Sequence, residues 1–123
     1  MTDHQARAAI RAAMDQHPDL CSHGFGNPGD AGFSDWRDDL LSDFGVDQFQ
    51  RARRYLSAFA HRQTLNRRRS SYGLKHSAED EQGGYISNGA LIAAAVDLGF
   101  RMERINYGPN AWLGIGRRKG VTA

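Results

Sequence analysis

The chain of 123 residues has a single cysteine, Cys21, which excludes an internal disulfide framework. Its longest uninterrupted apolar run, Ala90 to Val96, falls far short of a membrane span, so no membrane association is expected. Met1-Thr2-Asp3-His4 lacks the basic-then-apolar pattern of a secretory signal, and a cytoplasmic setting is the expectation. The glycine-rich stretch over residues 18–34 lacks the glycine-lysine-serine/threonine ending of a phosphate-binding P-loop. Most informative is a missing charge: residues 48–76 contain no acidic side chain at all.

Charge is strongly segregated. Residues 1–47 carry three arginines against nine aspartates, a net of −6, whereas residues 48–76 carry seven arginines and one lysine, a net of +8. Residues 77–123 balance at five against five. Fourteen of the sixteen basic residues are arginine. A GC-rich genome accounts for arginine over lysine but not for the clustering. The basic segment therefore meets either an external polyanion or the chain's own aspartates.

A chain that is 40% hydrophobic and 24% charged has the make-up of one globular domain spanning 1–123. It divides into a peripheral helix over 1–17, a glycine-rich loop over 18–34, a core over 35–116 and a basic tail over 117–123. Dense alanine and a capping Asp3 predict the first helix over 3–16, with Pro18 marking its end. Ser34 is placed to cap a helix to about Phe44, which Gly45 ends. Over 47–64, Phe49, Ala52, Leu56, Phe59, Ala60 and Gln63 fall on one arc at 100° per residue, while Arg51, Arg54 and Arg62 fall opposite, predicting an amphipathic helix capped by Asp47. Ser70 or Ser71 is placed to cap a short helix over 72–81. Ser87 and Gly99 bracket a helix over 88–98, apolar on nearly all sides and therefore central. Strands over 100–105 and 111–116 flank Asn106-Tyr107-Gly108-Pro109-Asn110, a β-hairpin signature. The expected fold is α+β and mostly helical, with four or five helices and a C-terminal β-hairpin; its element order allows a winged-helix layout. Leu56, Phe59, Leu91, Ile92, Val96, Phe100, Trp112 and Ile115 are the expected core.

Phosphate recognition needs several long cationic donors at backbone spacing, and arginine's planar fork matches two phosphate oxygens at once. Arg51, Arg54 and Arg62, followed by Arg67, Arg68, Arg69 and Lys75, meet that requirement, with Arg117, Arg118 and Lys119 as a flexible clamp. Only Ser87 and Asn88, at the start of the apolar helix, could touch a nucleic-acid groove. Nucleic acid, DNA or RNA, is thus the first expected partner. An acidic protein surface is the second, in a protein-interaction or inhibitor module whose aspartates over 30–47 imitate phosphates. A third reading is a small enzyme around Tyr72, Lys75, His76 and Glu79, which requires those side chains to converge in a concave pocket. Cys21 and His23 fall short of the four ligands of a structural zinc site, and no cofactor is implied.

The run Ser70-Ser71-Tyr72-Gly73-Leu74-Lys75-His76, with Ala78-Glu79, precedes Tyr85-Ile86-Ser87-Asn88-Gly89-Ala90-Leu91-Ile92-Ala93-Ala94. This pattern resembles small uncharacterised proteins encoded on bacterial phages, plasmids and genomic islands, across about residues 66–116. The resemblance implies a bacterial mobile-element setting, where small proteins regulate genes or block host defences. It assigns no catalytic residue.

Overall fold

The computed structural model describes residues 1–120. Helix α1 (Asp3–Gln16) is closed by a capping box in which Thr2 and Gln5 satisfy each other's backbone, so Thr2 caps it in place of Asp3. Its stripe of Ala6, Ile10, Ala13 and Met14 is buried. The glycine-rich segment is not all loop. Strands β1 (Leu20–Cys21) and β2 (Gly24–Phe25) pair antiparallel, Leu20 opposite Phe25, around a Ser22-His23 turn.

Helix α2 (Phe33–Leu41) starts after Gly32 with no side-chain cap, not at Ser34. It stops at Ser42, whose hydroxyl accepts from the Gly45 N–H and opens helix α3 (Asp43–Ser57). Gly45 therefore lies inside α3 and does not end a helix. A Cβ there would stand 2.3 Å from the Asp39 carbonyl oxygen, so glycine is what lets the two helices join so tightly. Ser42, not Asp47, is the cap of α3.

The largest departure from expectation follows Ser57. The helical pattern continues to residue 64, but the chain turns at Ala58 into strand β3 (Phe59–Asn66). There the ladder with a distant strand outweighs local propensity. That partner is strand β5 (Ala111–Arg118), which also pairs with strand β4 (Met102–Arg104), giving an antiparallel sheet in the order β3-β5-β4. The expected hairpin is thus present with a third strand on its far side. The β3–β5 register runs Phe59 to Arg118, His61 to Ile115 and Asn66 to Leu113, so residues 62–65 bulge from the ladder. Arg62 braces this bulge, donating to the Thr64 carbonyl at 2.9 Å and the Leu65 carbonyl at 3.1 Å. Arg101 donates to the Gln63 carbonyl at 2.6 Å.

Helix α4 (Ser71–Gln82), capped by Ser70, and helix α5 (Asn88–Asp97), capped by Ser87, lie close to their expected bounds, and Gly99 follows α5 at φ +81°. Helix α5 is the centre of the molecule, packed on α3, α1 and α4, with every residue from Asn88 to Ala95 buried. Its alanines admit neighbours at close range. A Cβ on Gly89 would fall 1.8 Å from the Cys21 carbonyl oxygen, because the β1–β2 hairpin rests on the first turn of α5. Leu56, Leu91 and Ile92 are fully enclosed, and Phe100 and Ile115 nearly so, while Phe59 and Val96 pack at the margin. Trp112 is only half-buried. Strand alternation sends Ala111, Leu113 and Ile115 inward and turns Trp112 away. No described helix is long and apolar enough to cross a membrane.

Candidate nucleic-acid interface

The basic residues divide into those the fold consumes and those it leaves facing outward. Arg51 belongs to the first group. Its guanidinium lies against the α4–α5 connection, donating to the carbonyls of Gly83 (2.8 Å), Gly84 (3.1 Å) and Tyr85 (2.8 Å), with Asp47 at 2.9 Å. Arg53 pairs with Asp97 at 2.7 Å, and Arg54 reaches the Gln82 carboxamide at 3.3 Å. Arg69 is turned back onto Ser77 and the Gly73 carbonyl of α4. Arg118 is not part of a flexible tail. It ends β5, holds Glu81 by two hydrogen bonds of 2.8 and 2.6 Å, and lies 4.9 Å from the Phe59 ring centre. That hydrogen bonding keeps the Glu81 carboxyl below the usual carboxylate range. Lys119 has an exposed side chain, but its backbone N–H is tied to the Ala58 carbonyl. Of the expected tail, residues 121–123 lie outside the described residues.

Ser87 and Asn88 cannot enter a groove, since they are 4% and 6% exposed. The Ser87 hydroxyl caps α5, and the Asn88 amide is directed at the carbonyl oxygens of His23, Pro109 and the Asn110 side chain. The position a recognition helix would occupy is filled by the core helix itself. Nor do Arg51, Arg54 and Arg62 share one helical face, because Arg62 lies on β3.

What the β3–β5 pairing does create is a basic concavity. Arg62, Leu65, Asn66, Arg67 and Arg68 line one side and Gly116 and Arg117 the other, around about 770 Å³. Four arginines and, among the described residues, no carboxylate line it. Asn66 builds the floor: its Nδ2 donates to the Ile115 carbonyl at 3.1 Å and its Oδ1 accepts from the Arg68 N–H, holding the turn that presents Arg67 and Arg68. The side chains of Arg67, Arg68 and Arg117 are exposed and make no hydrogen bond or ion pair among the described residues. The N-terminal aspartates do not quench them. Asp43 pairs with Arg7, and Asp35, Asp38 and Asp39 make no ion pair with the basic segment among the described residues.

The proposed enzymatic quartet is partly assembled. Lys75 is 6% exposed and pairs with Glu79 at 3.2 Å, and His76 meets the same carboxylate at 3.1 Å. Burial works against the charge on Glu79, but the Ile86 N–H and the Lys75 ammonium outweigh it and hold this carboxyl below its usual range. Tyr72 and Lys75 line a second concavity with His23, Tyr85, Asn88 and Asn110; His76 and Glu79 do not line it. The reading of the sequence missed Tyr85 and Asn110, although Tyr85 stands within the run that carries the mobile-element resemblance. Cys21 is fully enclosed, and burial raises its thiol pKa; His23 stacks on Trp36 with ring centres 4.1 Å apart. Comparison with protein-family models, curated proteins and solved structures gives no match.

Proposed function

We propose that this chain is a nucleic-acid-binding protein that holds phosphates in the arginine cleft between the β3–α4 turn and β5. An accessory or regulatory role of the kind implied by the mobile-element resemblance follows from that activity. The observation that carries the reading is a concave wall of four arginines, three with open guanidinium groups, with no acidic side chain among its described residues. Such a surface neutralises a phosphodiester backbone and releases its counterions, so affinity falls steeply with salt. Arg67, Arg68 and Arg117 are the residues of contact, and Arg62 shapes the wall they stand on. Ser87 and Asn88, at the start of α5, are buried and offer nothing to a groove, so the reading entails little sequence preference.

Titration of fluorescent duplex and single-stranded oligonucleotides at two salt concentrations tests this. Wild-type protein binds at low salt, and the combined Arg67→Ala, Arg68→Ala and Arg117→Ala variant loses about 2 units of the log–log salt slope on single strands. No binding at low salt removes the proposal. It leaves the exposed aspartates of α2 (Asp35, Asp38 and Asp39) as the surface through which a basic protein partner would be met.

A further inference from the structure

The second concavity, of about 470 Å³, brings together His23 from the β1–β2 turn, Tyr72 and Lys75 from α4, Tyr85 from the α4–α5 connection, Asn88 from the start of α5, and Asn110 from the β4–β5 turn. Two of these are large aromatic rings left in solvent: Tyr72 is 50% exposed and Tyr85 62%. Between them lies the Lys75 ammonium, 5.3 Å from the Tyr72 ring centre and 4.6 Å from that of Tyr85. An ammonium has three N–H donors. Glu79 is its one hydrogen-bond partner among the described residues, and the side chain is only 7% exposed, so two donors are left without a protein oxygen. Asn88, itself buried, leaves its Oδ1 without a partner.

These groups select among ligands. A purely apolar guest would leave the free Lys75 donors unpaired, at the cost that burial of unsatisfied polar groups carries. A simple anion would find the Lys75 charge already answered by Glu79. A flat heterocycle edged with both acceptors and donors suits the site, its faces toward the tyrosines and its edge toward Lys75 and the Asn110 carboxamide. Arg68 of the phosphate cleft precedes Tyr72 by four residues, so their Cα atoms lie no more than about 14 Å apart.

We propose that this pocket receives one unpaired nucleobase of the single-stranded nucleic acid whose phosphates occupy the arginine cleft. The inference rests on the phosphate-binding reading and narrows its substrate to strands with unstacked bases. Stacking on aromatic side chains is how proteins commonly hold such bases, and it tolerates sequence because every base has a π face.

The test compares three fluorescent probes by anisotropy: a short single strand, an abasic phosphodiester of equal length, and the duplex. Wild-type protein is expected to bind the single strand about tenfold or more tighter than the abasic strand. The Tyr72→Ala/Tyr85→Ala double variant loses that preference but keeps the wild-type salt slope. Tyr72→Phe/Tyr85→Phe retains the preference, because the ring faces remain. Equal affinity of wild-type protein for abasic and base-bearing strands overturns the inference and leaves the phosphate cleft standing. Absence of binding to all three probes at low salt overturns both.

Discussion

Replacing Arg51 by alanine should weaken the fold and leave nucleic-acid binding untouched, although charge alone makes this residue look like a phosphate ligand. Its guanidinium donates to three carbonyls, those of Gly83, Gly84 and Tyr85, and so ties the α4–α5 connection to α3. The arginine side chain is 14% exposed, while Asp47, its ionic partner, is 67% exposed. The ion pair is therefore worth a few tenths of a kcal/mol. A hydrogen bond to a charged donor contributes about 1.5–3 kcal/mol. Three bonds to one group do not add, and water reaches the exposed glycine carbonyls once the side chain is gone. The net loss is about 2–3 kcal/mol, which in a domain of this size lowers Tm by about 10 °C. Circular dichroism melts of wild type, Arg51→Ala and Arg51→Lys measure it, and the lysine variant should fall between, having a compact charge but no fork. A Tm within about 2 °C of wild type, together with a salt slope reduced by one phosphate contact, would refute the assignment of Arg51 to the scaffold.

Two further outcomes follow from the packing and charge of the core. Gly89→Ala places a methyl group against the Cys21 carbonyl and should cost about 3 kcal/mol or more, read as a lower urea midpoint. The Glu79 carboxyl titrates below its usual range, so its contribution is fully present above the unfolded value of about 4.3 and fades as pH falls through the folded one. The stability gap between wild type and Glu79→Gln should therefore shrink on acidification below about pH 4. A gap that stays constant there would contradict the ion-pair account.

Local signals located α4 and α5 well, because the Ser70 and Ser87 caps and the Gly99 stop act within a few residues of where they stand. The hairpin turn over 106–110 was legible for the same reason. Residues 58–64 were not. They continue a helical hydrophobic arc, and what makes them a strand is β5, about fifty residues further on. The error carried into the site. A single basic helix face was expected, whereas the open arginines are gathered by strand pairing between residues that no local rule connects. Arg51 and Arg67 are equivalent as charges in the sequence. Only the carbonyls of residues 83–85 distinguish them, and those are brought near by the packing of α4 and α5 on α3.

The brace on β3 bears on how the molecule behaves in a crowd of its own copies. An outer strand with free carbonyls is a template on which another chain can add, the first step toward ordered aggregates. Here the oxygens of Thr64 and Leu65 already receive guanidinium donors from Arg62 of the same strand. The bulge also bends the strand out of line. An incoming strand would have to displace Arg62 to find a straight run of acceptors, and removing it would turn a self-limiting edge into an adhesive one.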